Sequence, residues 1–141
     1  NLRAVFLLSQ KAAIVMKNQG GGKIINITSI LSFRGATEEM NPAVAYNAAK
    51  GGVNALTIDM AVKLNRYNIH VNAIAPGYFD TDLIAYAKQD DEYLKKFLAK
   101  IPAARLGKEN DIKGCAVFLA SSASDYLRGQ IICPDGGYLA A

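Results

Sequence analysis

The chain has 141 residues, 51% of them hydrophobic and 20% charged, with 16 basic against 12 acidic side chains. That length suits one domain, whose core can bury roughly 68–70% of the unfolded surface. The composition excludes a disordered or low-complexity chain. No stretch of about 18 apolar residues is free of charge, so neither a spanning helix nor a membrane partner is expected. The start has no basic, apolar, small-residue sequence of the secretory kind. The net charge of +4 is spread along the chain, and Lys95-Lys96 is its densest basic pair. That reads as a solvated surface, with no nucleic-acid footprint. Cys115 and Cys133 do not make a disulfide framework and read as two buried thiols in a reducing, cytoplasmic setting.

In chain order, Asn1 to about Gln19 predicts a helix, with Leu2, Val5, Phe6, Ala12, Ala13 and Met16 at helical spacing. Asn18 to Gly22 is a stop signal. Lys23–Thr28 reads as an Ile-rich strand, and Ser29 to Asn41 as a loop. A second helix is predicted from Pro42 to about Tyr67, because Pro suits a first turn, and Asn68 breaks it. Ile69–Ala75 is apolar at most positions and predicts a strand buried on both faces. Pro76-Gly77 ends it. Thr81–Lys88 and Asp90–Lys100 predict two short amphipathic helices, and Pro102 to Gly107 a linker. Lys108–Ser121 predicts a further helix, with Ile112, Cys115, Ala116 and Leu119 on one face. Ile131–Cys133 is a last short strand before Pro134 and the turn Asp135-Gly136-Gly137.

The expected order is α-β-α-β-α-α-α-β. Alternation of this kind implies an α/β fold with parallel strands. Three strands alone make a poor sheet, since two of them are edges.

Tyr46-Asn47-Ala48-Ala49-Lys50 carries the most chemistry. Tyr and Lys four apart share a helical face. An ammonium near a phenol favours the phenolate, so such a tyrosine can exchange a proton with a hydroxyl or carbonyl near neutral pH. Ser29 follows one predicted strand and Pro76-Gly77 the next. In parallel sheets, ligands gather at those strand ends. Each residue also has a plain structural reading. Ser29 can be a turn residue, Thr81 a helix N-cap, and Asn26 a hydrogen-bonder within its strand. His70 reads as a sheet or surface residue. Asp80 and Asp82 lack a His or Cys partner, so no metal site is expected.

Taken together, Asn1 in NLRAVF, Asn26 and Ser29 in IINITS, YNAAK at 46–50, VNAIAPGYFDTD at 71–82 and GQIICPDGG at 129–137 resemble the short-chain dehydrogenase/reductase family along the whole chain. The resemblance implies the C-terminal part of a Rossmann-type doubly wound parallel sheet, residues 1–141 forming the catalytic part of one domain. It implies Tyr46 as general acid and base, Ser29 holding the substrate oxygen, and Lys50 on the nicotinamide ribose beside Tyr46. Asn1 matches the family asparagine whose helix kink holds a water linked to Lys50. Around Pro76 and Gly77, Thr81 and the backbone of Phe79 match the nicotinamide carboxamide site. The cofactor implied is NAD or NADP. A homodimer or homotetramer packed through the first helix and the Tyr46 helix is implied too. Gly51 and Gly52 in that helix cost roughly 1 kcal/mol each against Ala, for which close helix approach is a reason.

Two departures bear on the substrate. Ser29 and Tyr46 are 17 apart, a few residues more than is common, with the excess in Phe33–Asn41 along the expected cleft. The family's frequent Val-Asp-Gly-Gly is here Pro134-Asp135-Gly136-Gly137. The resemblance extends to 3-oxoacyl-carrier-protein reductases and to sugar or polyol dehydrogenases. The expected reaction interconverts a secondary alcohol and a ketone, on a sugar acid, polyol or other small hydroxy or keto compound. Tyr86, Tyr93 and Phe97, beside Lys88, Lys95, Lys96 and Lys100, fall on the expected substrate lid; the lysines either draw an acidic substrate or merely solvate a helix face.

No glycine-rich loop of the Thr-Gly-x-x-x-Gly-x-Gly kind is present, nor the residue that reads the adenosine ribose. The resemblance sets Asn1 inside a long helix. The expectation is a C-terminal portion of a longer enzyme that alone holds NAD(P) weakly or not at all. A catalytically incompetent fragment or a structural subunit is the rival from another class.

Overall fold

The computed structural model describes residues 1–37 and 44–141, without the side chains of Leu83 and Tyr86. The expected helix start at Pro42, and the part of the Phe33–Asn41 insertion beyond Thr37, lie outside the described residues. The main elements are α1 (Leu2–Asn18), β1 (Gly22–Ile27), α2 (Val44–Leu64), β2 (Ile69–Ile74), α3 (Asp91–Leu98), α4 (Glu109–Ala120) and β3 (Ile131–Ile132). One sheet has the order β1-β2-β3, with both pairs parallel. The register sets Ile24 opposite Val71 and Asn26 opposite Ala73.

Strand alternation sorts the two faces. Ile24, Ile69 and Val71 pack with Ala61 of α2 and against Ala12, Ala13 and Met16 of α1. Their neighbours Lys23, His70 and Asn72 point the other way, to Ser121, Asp125 and Leu127 beyond α4. Helices therefore cover both faces of the sheet, and every residue of β2 is buried, as its apolar run predicted.

Most boundaries agree with the sequence within two residues. Three points differ. Residues 82–88 form a 3₁₀ segment broken at Ile84 (φ −115°, ψ 19°) in place of an amphipathic α-helix. The end of the second helix tightens into a 3₁₀ turn over Asn65–Tyr67, closed by Asn68 in the left-handed conformation (φ 56°); asparagine tolerates that geometry better than most residues. On α1, Leu2 and Phe6 are exposed, and the inward side is carried by Ser9, Ala12, Ala13 and Met16. Cys115 and Cys133 are only partly buried. No helix among the described residues is long and apolar enough to cross a membrane.

Candidate active site

Backbone hydrogen bonds carry the parallel ladder past the strand ends. Thr28 N–H donates to Ile74 O (2.8 Å), Ile30 N–H to Pro76 O (3.2 Å), Ala75 N–H to Ile132 O (2.7 Å) and Gly77 N–H to Pro134 O (3.1 Å). The segments after β1, β2 and β3 are thereby stitched into one edge that holds Ser29, Pro76-Gly77 and Pro134-Asp135. Contact is tight at Gly77, where a Cβ would lie 2.6 Å from Asp135 Cα. The Asp135 carboxylate accepts from Gly137 N–H and Leu139 N–H, both at 2.9 Å. Gly136 (φ 65°) and Gly137 (φ 89°) turn the chain there, a conformation that glycine adopts without a Cβ clash.

Beneath this edge lies an aromatic cluster. Tyr78 meets Phe97 and Tyr138 edge-on, with centroids 4.7 and 5.2 Å away. Ile30, Ile101 and Tyr138 are buried in the same cluster. It fastens the residue after Ser29 to the segment after β2, to α3 and to the C-terminal turn. Phe97 of the expected lid is thus a core residue, and the side chain of Tyr86 lies outside the described residues. Of the expected lid lysines, Lys88 pairs with Asp80 and Lys96 with Glu92.

Ser29 is buried, with extended backbone (φ −163°, ψ 150°). Its Oγ accepts from Leu31 N–H at 3.2 Å. A hydroxyl that accepts through a lone pair keeps its proton free to donate. Tyr46 and Lys50 lie a turn apart on α2, and Lys50 Nζ is 5.6 Å from the Tyr46 ring centroid. Lys50 Nζ donates to Ile27 O at 2.9 Å, two residues before Ser29. Burial holds the Lys50 ammonium pKa below its ordinary value. Lys50 thus reaches from α2 to the end of β1, two residues before Ser29, with the Tyr46 ring near its ammonium.

Asn1 is the exposed N-cap of α1, and its side chain makes no capping hydrogen bond. The adjoining Leu2 reaches α2, since a Cβ on Gly52 would stand 2.8 Å from Leu2 Cδ2. That is the close approach expected of Gly52; around Gly51 there is open space. Thr81 is exposed and its carbonyl accepts from Ile84 N–H at 3.2 Å. Phe79 pairs with Gly107 in an isolated parallel bridge. The bonds of that bridge run from Gly107 N–H to Tyr78 O and from Asp80 N–H to Gly107 O, both at 2.9 Å. The N–H and C=O of Phe79 therefore face away from Gly107.

Asn26 has the structural role read for it. Its amide donates to Thr57 Oγ1 (2.9 Å) and its carbonyl oxygen accepts from Ser9 Oγ (3.4 Å). His70 is buried at the far end of β2, with Arg128 Nη2 2.7 Å from its Nε2. Ser32 and Asn54 lie outside the sequence motifs, and Asn54 Nδ2 donates to Ser32 Oγ at 2.7 Å. Asn54 is four residues after Lys50 and eight after Tyr46, so helical spacing was the available signal.

The family model described as "Enoyl-(Acyl carrier protein) reductase" matches residues 1–139. The chain is 46% identical over 141 residues to 2-dehydro-3-deoxy-D-gluconate 5-dehydrogenase of Dickeya dadantii, covering 99% of this chain and 54% of that protein. It is 43% identical over 141 residues to 5-keto-D-gluconate 5-reductase of Escherichia coli, covering 100% of this chain and 54% of that protein. The crystal structure of a gluconate 5-dehydrogenase from Burkholderia cenocepacia, in complex with NADP and tartrate, superposes with a TM-score of 0.90 at 39% identity. That match covers 97% of this chain and 52% of the other. The chain spans about half the length of the curated relatives it matches. It belongs to the short-chain dehydrogenase/reductase family.

Proposed function

We propose that residues 1–141 are the C-terminal, catalytic part of an NAD(P)-dependent oxidoreductase that interconverts a secondary alcohol and a ketone on a sugar acid. The observation that carries this reading is Lys50, which bonds Ile27 O two residues before Ser29 and sets its ammonium 5.6 Å from the Tyr46 ring. The substrate class rests on the gluconate dehydrogenases and reductase among the relatives. A cytoplasmic setting and the weak cofactor binding of the chain by itself belong to the same proposal.

The residues present fit a nicotinamide cofactor. Phe79 offers an outward N–H and C=O, Thr81 an exposed hydroxyl. Lys50 has one described acceptor for its three donors, leaving two for a ribose. Bound nicotinamide supplies or removes hydride at the substrate carbon. In reduction, Tyr46 Oη gives a proton to the carbonyl oxygen of the substrate, and in oxidation it takes the hydroxyl proton back. Ser29 Oγ–H donates to the same oxygen and stabilises its developing charge. Lys50, held by Ile27 O, keeps a positive charge beside the Tyr46 ring.

Self-association is the other part of the reading. A groove between α1 and α2, with a volume of 390 Å³, is lined by Phe6, Ile14, Leu56, Met60 and Tyr67 among others. Leu8, Val15, Ile58 and Val62 are exposed on the same two helices. Apolar surface of this extent suits an interface between two copies.

The test is turnover of 5-keto-D-gluconate with NADPH by this chain joined to its nucleotide-binding portion. Tyr46→Phe is expected to lower kcat by about 10²–10⁴ with cofactor affinity retained. Full activity of that variant rejects the mechanism. Turnover of a 3-oxoacyl thioester in place of the sugar acid rejects the substrate class.

A further inference from the structure

Beside the apolar contacts of Ala61, the face of α2 turned toward β1 and the segment after it carries a polar stretch. Lys50 Nζ donates to Ile27 O at 2.9 Å, Asn54 Nδ2 to Ser32 Oγ at 2.7 Å, and Thr57 Oγ1 accepts from Asn26 Nδ2 at 2.9 Å. Positions 50, 54 and 57 follow the helical repeat and form one stripe in line with Tyr46. Directional bonds at three successive turns, two to β1 and one to the turn after it, leave α2 one axial position there, which greasy contacts alone do not define.

The middle bond reaches Ser29. Ser32 Oγ donates to Ser29 O at 2.5 Å, and Ser32 N–H donates to the same oxygen at 3.0 Å. Since the single Ser32 proton goes to Ser29, its oxygen must accept from Asn54, which fixes the orientation of the Asn54 amide. Asn54 is buried, and its Oδ1 has no hydrogen-bond partner among the described residues. A leucine at that position would bury apolar surface and leave no orphan acceptor, so fold stability alone does not account for an asparagine.

We infer that Asn54 and Ser32 are positioning residues that lock the Ser29 backbone to the helix carrying Tyr46 and Lys50, and so set the distance between the two ends of the proton-transfer site. The inference rests on the catalytic reading given above. It requires a couple: neither member has effect without the other. A misplacement near 1 Å at a reacting centre costs about 10²-fold in rate.

The experiment compares Ser32→Ala, Asn54→Leu, the double variant, Ser32→Thr and Tyr46→Phe, in the chain joined to its nucleotide-binding portion. Ser32→Ala and Asn54→Leu are each expected to lower kcat by about ten- to a hundred-fold. KM for the cofactor is retained in both; Asn54→Leu keeps its melting temperature, whereas Ser32→Ala, which strands the buried Asn54 amide, lowers it. The double variant is no slower than the slower single variant, and Ser32→Thr, which keeps the hydroxyl, recovers most of the rate. Unchanged kcat in both single variants, or losses that multiply in the double, overturn the inference. A fall in melting temperature with kcat per folded molecule intact reduces the pair to packing and also overturns it. Retained activity in Tyr46→Phe overturns the catalytic reading instead, so the two failures are distinguishable.

Discussion

Lys23 and Lys50 bring ammonium groups to opposite ends of the same strand. At the start of β1, Lys23 Nζ donates to Ser121 O (2.6 Å), Ser124 Oγ (3.0 Å) and Asp125 Oδ1 (2.7 Å). All three of its protons are used. Nearby, Arg128 donates to Asn65 Oδ1, to Leu127 O and toward His70 Nε2. At the end of β1, Lys50 has the single described acceptor Ile27 O, and the Ser29 hydroxyl proton has no described acceptor. Saturation separates the two regions. His70 Nδ1, 3.7 Å from Asp125 Oδ1, is the one buried atom of the first cluster without a hydrogen-bond partner among the described residues; a cluster so nearly closed on itself holds elements together. One that keeps donors in reserve, at strand ends where ligands gather, is built to take something else.

The sharpest way to break this contrast is Lys50→Met. Turnover is expected to fall by about 10²–10⁴, measured as kcat in the joined enzyme. Folded stability is not expected to fall, because the variant removes a desolvated cation. The pH dependence has a defined sign. The Lys50 pKa is lowered in the folded chain, so between that value and the ordinary one the unfolded chain binds more protons, and stability rises with pH. Urea unfolding in the alkaline range should show this rise in the natural chain and lose it in Lys50→Met.

Gly77→Ala probes the stitching of the active edge. The added Cβ would meet Asp135 Cα at 2.6 Å, and backbone cannot yield as a side-chain tip can. A loss of about 1–3 kcal/mol in urea unfolding is expected. An unchanged midpoint would mean that the edge is looser than its contacts imply.

His70→Gln addresses the saturated end. Burial and the neighbouring Arg128 and Lys23 lower the His70 pKa, against a smaller raising effect from Asp125. The unfolded chain therefore binds more protons between the folded value and the ordinary one, and stability declines as pH falls below about 6.5. Comparing unfolding midpoints at about pH 7.5 and pH 5.5 should show a larger acid loss in the natural chain than in the variant. Catalytic rate at neutral pH should be the same in both.

The smallest effect is expected for Asp111→Asn. Arg105 grips the Asp111 carboxylate through Nη1 (2.7 Å) and Nη2 (2.9 Å), and Lys108 N–H donates to it at 2.7 Å. These bonds hold its pKa well below the usual carboxylate range. The pair is open to solvent and screened by salt. A slight drop in melting temperature that shrinks further at high salt, with kcat intact, is the expected outcome.

The elements were readable from the sequence wherever one local signal dominated. The apolar run Ile69–Ile74 is buried throughout, and Asn68 stops its helix through a left-handed backbone. Ile112, Cys115, Ala116 and Leu119 are the less exposed face of α4. Local signals failed where tertiary contacts compete. Residues 82–88 have helical spacing, yet Ile84 and Ala87 are drawn into the interior and the segment breaks at Ile84. Phe97 falls on the expected lid by position and is a core residue in the fold, because Tyr78 and Tyr138 come from distant segments to pack with it.

For the site, the residue types and spacings of Ser29, Tyr46 and Lys50 were enough to nominate them, since a four-residue step and a strand end are local facts. The family followed from the same motifs. What spacing does not contain is which donors are already spent. Lys23 and Lys50 are the same residue type in the sequence, and only the folded chain gives one three acceptors and the other one. The bond between Asn54 and Ser32, 22 positions apart, likewise exists only once α2 lies along β1. Hydrogen bonds are directional and short in reach. Their pairing is therefore decided by the packing of elements that periodicity can identify but cannot arrange.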